Sequence, residues 1–290
     1  MTTDKLKILS FNILAEQFID YSNPSEYYPK VPVETLKEEN RLPKIFSFLQ
    51  KNDPDIMLLQ EVNSKTLKML RVNLKSSHLL MPLAKHLTAE ALEPGNMYGN
   101  LIAVRRGLFR KLSYRTVNVP KLGTAFAILT CELISSRQKM LIINVHLDAD
   151  EETEDKRIIE VSELMGMIKY MLKDHVVIIT GDFNTNSPKT HKKFKSLNPV
   201  IDPDNPVGTY LNDSPMIDWI YIKNAKIVSG KVMKPAVAAN ATPLKKFGSD
   251  HYPVVAEIEI YSNTTKEDKQ TTKSEDKNTT KEDKQTTSKN

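Results

Sequence analysis

Apolar positions along the first 261 residues alternate between two periods. Leu42, Ile45, Phe46 and Leu49 fall at i, i+3, i+4 and i+7, the spacing of a helix with one apolar face, and Pro43 is tolerable in its first turn. Ile158, Val161, Leu164, Met165, Ile168 and Leu172 predict a second amphipathic helix. Around them lie short apolar runs that read as buried strands: Ile8-Leu9, Ile56 to Leu59, Gly99 to Val104, Thr124 to Leu133, Met140 to Val145, Val176 to Thr180, Ile217 to Lys223 and Tyr252 to Ile260. Asn52-Asp53-Pro54-Asp55 is a turn signal between the first helix and the strand that follows. Many strands with few helices, and no Gly-x-Gly-x-x-Gly, do not suit an alternating dinucleotide-binding fold. Two packed sheets flanked by helices suit better.

After Tyr261 the pattern stops. The remainder contains only Thr, Lys, Glu, Asp, Gln, Asn and Ser, and the run Thr264-Thr265-Lys266-Glu267-Asp268-Lys269-Gln270 returns at Thr279 to Gln285. Such a segment cannot bury a core, so the expectation is one folded domain over 1–261 and a disordered tail over 262–290.

Composition narrows the class only a little. A 290-residue chain with 40% hydrophobic residues can fill one sizeable core. The single cysteine, Cys131, sits in an apolar run and reads as a buried thiol; no disulfide within one chain can form. No apolar run suits a secretion signal or a membrane span, so the expectation is an intracellular, soluble monomer, cytoplasmic or nuclear, with no protein partner identifiable. The net charge of +5 makes polyanion binding electrostatically easy without specifying a partner.

Chemistry enters at the ends of the apolar runs. Ser10-Phe11-Asn12, Leu59-Gln60-Glu61, Gly181-Asp182-Phe183-Asn184 and Ser249-Asp250-His251 each place polar groups beside a strand, where an α/β scaffold collects a site from distant positions. A phosphodiester is anionic and has a poor leaving group, so its hydrolysis needs a cation, an activated water and stabilisation of developing charge. Glu61, helped by Asn12 and Asp250, offers hard oxygen ligands of the kind Mg²⁺ or Mn²⁺ takes. Read alone, a glutamate after a strand is a surface residue, and Asp182 with Asn184 is as well explained by an Asx-rich turn capping a helix at Ser187-Pro188. Asp218, flanked by apolar residues, is costly to bury without a partner, and His251 is the candidate. His146 ends another strand run and could supply a second imidazole, although a lone histidine there is more often structural. No Cys pair or His-x-x-x-His spacing favours zinc.

In order along the chain, Phe11-Asn12, Leu59-Gln60-Glu61-Val62, Tyr98-Gly99-Asn100, Asn144-Val145-His146-Leu147, Gly181-Asp182-Phe183-Asn184, Ile217-Asp218-Trp219-Ile220 and Gly248 to Val254 resemble the endonuclease/exonuclease/phosphatase superfamily over residues 5–260. The resemblance implies a four-layer α/β sandwich, two mixed β-sheets packed face to face between helices, and Mg²⁺-dependent hydrolysis of a phosphate ester, with Mn²⁺ as the other candidate ion. By motif position Glu61 is the metal ligand, Asn12 supports metal and phosphate, and Asp250 is the second metal-side carboxylate. Asp182 orients the attacking water, Asn184 contacts phosphate, His251 paired with Asp218 stabilises the transition state, and His146 is the other active-site imidazole. Tyr98, Asn100 and Phe247 are the candidate substrate contacts, with Phe247, in Lys245-Lys246-Phe247-Gly248, the foremost base-stacking residue.

The opening Phe11-Asn12-Ile13-Leu14-Ala15-Glu16 and its tyrosine-rich continuation look most like the deadenylase and 2′,5′-phosphodiesterase branch. The expected substrate is therefore a nucleic acid or oligonucleotide, single-stranded RNA before duplex DNA. A phosphoinositide phosphatase is disfavoured because Trp219 follows Asp218 where that branch has arginine, and a sphingomyelinase because no secretion signal or exposed aromatic hairpin is visible. A non-catalytic binding module is the remaining alternative, opposed by a competent residue at every motif position.

Overall fold

The computed structural model describes residues 3–29, 31–93, 95–119, 122–150, 152–211, 215–235 and 243–261; the tail from 262 lies outside them. The strands are β1 (Thr3–Asn12), β2 (Ile56–Asn63), β3 (His78–Leu80), β4 (Ala84–Lys85), β5 (Tyr98–Arg105), β6 (Phe109–Asn118), β7 (Ala125–Leu133), β8 (Lys139–His146), β9 (Val176–Asp182), β10 (Asn198–Pro199), β11 (Asp218–Lys223), β12 (Lys226–Val232) and β13 (Val254–Tyr261). One sheet runs β12-β13-β1-β2-β5-β3, with β4 also on β5; the other runs β10-β11-β9-β8-β7-β6. Each has a parallel pair at its heart, β1 with β2 and β8 with β9, and antiparallel neighbours outside it. Both sheets are therefore mixed.

The alternation of side chains explains the layers. On β8, Ile142 points into the space between the sheets, while Leu141 and Ile143 pack outward with Val161, Leu164 and Ile168 of the helix Glu154–Ile168. On the first sheet every residue of β2 is buried, because the outward face is covered by Leu42, Ile45 and Leu49 of the helix Glu38–Asn52 and by Leu67 and Leu70 of the helix Ser64–Leu74. Helix, sheet, sheet, helix is the four-layer order.

Four buried amides stitch the facing sheets. Asn144 Nδ2 donates to the carbonyls of Leu59 and Leu101, at 2.9 Å each, and Gln60 Nε2 donates to Asn144 Oδ1 at 2.6 Å. Asn100 Nδ2 donates to Ala125 O at 2.7 Å. Asn12 is the fourth of these amides, within the site described below. Such buried donors are costly unless paired, so these pairings also fix how the sheets face one another.

Two helix expectations shift. The first helix begins at Glu38, so Pro43 lies beyond the first turn; the carbonyl it leaves without a donor belongs to Glu39, which is exposed and open to water. The second begins at Glu154 and ends at Ile168, so Leu172 falls in a separate short turn, Met171–Lys173, and the buried stripe is extended N-terminally by Arg157 and Glu160.

Candidate active site

The strand register brings distant residues to one edge of both sheets. In the first sheet β1 and β2 run parallel with Asn12 opposite Gln60, so Asn12 and Glu61 emerge together. Strand β13 is antiparallel to β1 with Val254 opposite Ser10, which puts Asp250 and His251, just ahead of it, at that same end. In the second sheet β8 and β9 run parallel with His146 opposite Asp182, and β11 begins antiparallel with Asp218 opposite Asp182.

Local backbone geometry aims these groups. A bulge between Leu59 and Val62 leaves Glu61 in the left-handed region, φ 57°, so its side chain turns out of the strand's alternation. Its carboxylate accepts from Asn12 Nδ2 at 2.7 Å and from Ala15 N at 2.8 Å. Asn12 Nδ2 also donates to Asp182 Oδ2 at 3.0 Å, and Asn12 Oδ1 accepts from Leu14 N. Ser249 Oγ donates to Asn12 O at 2.6 Å and accepts from His251 N, tying the loop before β13 to the end of β1. Gly181, at φ 147°, lies so close to β8 that a Cβ there would be 1.8 Å from Val145 O; only glycine lets β9 bring Asp182 to its place.

A fully buried arginine braces this edge. Arg41 Nη1 donates to the carbonyls of Ile13, Leu14 and Gly248, its Nε donates to Leu36 O at 2.7 Å, and its Nη2 meets Glu16. One guanidinium thus joins the segments that follow Asn12 and precede Ser249.

Asp182 is the centre of the charge arrangement. Its Oδ1 accepts from Asn184 N at 2.9 Å, and its Oδ2 faces Asn12 Nδ2, His251 Nε2 at 3.6 Å and His146 Nε2 at 3.8 Å. His251 Nδ1 faces Asp218 Oδ2 at 2.8 Å. Burial disfavours the imidazolium, but Asp218 and Asp182 outweigh it and raise His251 well above its ordinary value, so the ring holds its proton and Nδ1–H donates to Asp218. Burial raises the Glu61 carboxyl and Asp250 adds to it, against the opposing pull of His146 and Asn12. Asn184, at φ 49°, donates its side-chain amide to Leu147 O at 2.9 Å.

These groups open on a cleft of about 670 Å³ whose walls hold residues that the sequence reading did not name. Phe18, Tyr27, Tyr28 and Tyr210 supply aromatic surface beside the expected Tyr98. Tyr28 OH donates to Asp250 Oδ2 at 3.2 Å, and burial together with Asp250 pushes its phenol up. The Tyr210 ring lies 5.0 Å from that of His251. His86 stacks on Tyr98 and meets His146 edge-on; burial, with His146 beside it, pushes it down to about 3, so it is neutral. Opposite stand Leu147, Asp148, Ala149 and Asp150. The tyrosine-rich segment after Glu16 and the Tyr98 motif are the signals for the aromatic wall in the sequence.

Of the expected substrate contacts, only Tyr98 lines the cleft. Phe247 is in the core, 2% exposed, packed edge-on against Phe48 and Tyr252, so its ring has no face for a base. Asn100 is buried, with its amide nitrogen donating to Ala125 O. Phe183 and Trp219, which adjoin the motifs, are core residues of the second sheet's outer layer.

A buried acid–imidazole group, Asp182, Asp218 and His251, brings ligand-type atoms within 4.8 Å of one another and could hold a metal ion. Its Asp218 and Nδ1 atoms are, however, already paired with each other. Glu61 and Asp250 are different: both carboxylates face the cleft, and none of the described residues lining it is a lysine or arginine. Asn12 faces Glu61 with its amide nitrogen, so the two carboxylates are the oxygen donors here, of a kind suited to a hard cation.

The chain has relatives among known proteins. The chain is 27% identical over 175 residues to protein L388 of Acanthamoeba polyphaga mimivirus, covering 56% of this chain and 65% of that protein's length. It is 23% identical over 288 residues to protein angel of Drosophila melanogaster, covering 86% of this chain and 79% of that protein. Its structure is similar to the crystal structure of ANGEL2, a 2′,3′-cyclic phosphatase, with a TM-score of 0.76 and 17% identity, over 89% of this chain and 96% of that one. The family model for the Endonuclease/Exonuclease/phosphatase family matches residues 9–251, which takes in every site residue from Asn12 to His251, and the chain belongs to that family.

Proposed function

We propose that this protein is a divalent-metal-dependent phosphodiesterase that hydrolyses single-stranded nucleic acid, RNA before DNA, with Mg²⁺ as the working ion and Mn²⁺ as a substitute. The observation that carries the reading is the placement of Asp182 Oδ2 among Asn12 Nδ2, His251 Nε2 and His146 Nε2, at the edge of a cleft that also holds Glu61 and Asp250. Glu61 and Asp250, with Asn12 in support, would hold the cation, which when bound supplies positive charge beside the phosphate oxygens. Asp182 accepts a proton from water as the water oxygen attacks phosphorus. The bond from phosphorus to the leaving oxygen breaks, its electron pair goes to that oxygen, which takes a proton from solvent water, and the protonated His251, held by Asp218, stabilises the added charge on the phosphorus oxygens. Asn184 has one side-chain N–H committed to Leu147 O and a second for a phosphate oxygen.

Charge and shape support a nucleic acid over a polyphosphorylated headgroup. Five carboxylates and three imidazoles line the cleft among the described residues, with no lysine or arginine. One phosphate beside one cation suits such a lining; several phosphates would face carboxylates. The aromatic wall offers stacking surface for a base. The 2′,3′-cyclic phosphatase activity named for ANGEL2 is itself hydrolysis of a phosphodiester at a ribose, to which the same arrangement applies.

The test is a screen of the purified protein with Mg²⁺ and Mn²⁺ on single-stranded RNA, poly(A), RNA ending in a 2′,3′-cyclic phosphate, abasic and intact DNA, phosphoinositides and sphingomyelin. Turnover of an oligonucleotide far above the lipids is expected. The reverse order would overturn the substrate reading and leave the same residues serving a lipid phosphodiester.

A further inference from the structure

The helix Glu154–Ile168 turns a charged face toward the site. Glu154, Arg157 and Glu160 recur every third residue and share one side of it. Arg157 and Glu160 are 4% and 0% exposed, unusual for ionisable groups unless they are paired, and Glu160 keeps one carboxyl oxygen without a hydrogen-bond partner among the described residues. Arg157 Nη1 donates to Asp148 O at 2.9 Å and Asp150 O at 2.7 Å, and its Nε donates to Glu154 Oε2 at 3.2 Å. Glu160 Oε2 accepts from Asp148 N at 3.1 Å. Glu154 in turn accepts from Thr185 Oγ1 at 2.9 Å and Thr190 Oγ1 at 2.6 Å.

These bonds tether two segments that flank one residue. Asn184 lies between the two tethered segments: its amide donates to Leu147 O, next to Asp148, and Thr185 follows it in the chain. It holds a left-handed backbone conformation, φ 49°, which asparagine adopts more readily than other non-glycine residues. We infer that Arg157 is a positioning residue for Asn184: by clamping Asp148 and Asp150 to Glu154, it fixes the carbonyl that orients the Asn184 amide. The consequence for catalysis rests on the reading of Asn184 as a phosphate donor; the orientation of the amide does not.

Arg157→Met keeps the apolar stem of the side chain and removes its donors. Its effect on kcat, with a single-stranded RNA oligonucleotide and Mg²⁺, is compared with and without Asn184→Ala. Each single change should lower kcat at least about tenfold with KM little altered, as misplacing a transition-state donor does. In the Asn184→Ala background, Arg157→Met should add less than about a threefold loss, because the group it positions is gone. An equal loss in both backgrounds would mean a purely structural arginine and would overturn the inference. A second readout needs no activity: the Asn184 side-chain amide resonance, identified by its disappearance in Asn184→Ala, should exchange its hydrogens about tenfold faster in Arg157→Met, as expected when a local hydrogen bond opens more readily. Unchanged exchange would also overturn the inference, and this holds even if no phosphodiester is turned over, in which case the functional reading fails separately. If Arg157→Met does not fold, Arg157→Lys, which keeps the charge but not the fork, takes its place in both measurements.

Discussion

Asn12 and Asp182 are separated by 170 positions in the chain, yet Asn12 Nδ2 donates to Asp182 Oδ2 at 3.0 Å across the junction of the two sheets. The same nitrogen donates to Glu61 Oε1, so one amide keeps two buried carboxylates from facing each other unscreened. The site therefore depends on the packing of sheet against sheet, and damage to either should be felt by both.

Asn12→Asp tests this most sharply. The shape stays the same, but a donor becomes a third carboxylate between Glu61 and Asp182, an uncompensated buried charge that costs about 3–5 kcal/mol. Urea denaturation at neutral pH should show that loss. Millimolar Mg²⁺ should return part of it if the folded carboxylates bind the ion. A variant as stable as the wild type would mean that the amide does not carry the charge separation.

Glu160 gives a pH dependence of stability with a definite sign. Burial raises its carboxyl from 4.5 to about 7, so between those values the folded state holds a proton that the unfolded state has released. Its contribution is fully present below about pH 4.5 and is lost as pH rises through about 7. Glu160→Gln cannot ionise and keeps an acceptor for Asp148 N. The variant should gain on the wild type as pH rises through this window, by roughly 3 kcal/mol at most. Parallel stability curves in melts from pH 4 to 8 would refute the assignment.

Arg41→Met should be among the most damaging single changes in the chain. It strands the carbonyls of Ile13, Leu14, Leu36 and Gly248 and the Glu16 carboxylate. An expected loss of about 3–5 kcal/mol follows from leaving buried acceptors unmade. Hydrolysis should fall with it even well below the melting temperature, since those carbonyls flank Asn12 and Ser249. A loss under about 1 kcal/mol in chemical denaturation would show that water replaces the guanidinium.

The central strands and the residues at their ends were legible in the sequence because burial on both faces forces continuous apolar runs, as in β2 and β9, and the polar residues that break them are conspicuous. The edges were not. Strand β6, Phe-Arg-Lys-Leu-Ser-Tyr-Arg-Thr-Val-Asn, and strand β12 carry charges on half-exposed positions, which protects a sheet edge from pairing but also hides it from an apolar-run reading. Phe247 was misread because its lysine neighbours are exposed while its own ring packs inward on Phe48. Tyr210 and Arg157 join the site through tertiary packing of a loop and a helix face, with no local spacing to announce them.

The most direct test of the central claim is the rate at which the full chain cleaves a single-stranded RNA oligonucleotide in Mg²⁺, in EDTA, and after Mg²⁺ is restored, for the wild type and for Glu61→Gln. The account predicts turnover that EDTA abolishes and Mg²⁺ restores, and a loss of orders of magnitude in Glu61→Gln with little change in folding, since removing the ligand charge removes the cation that neutralises the phosphate. Undiminished cleavage in EDTA, or a fully active Glu61→Gln, would contradict it.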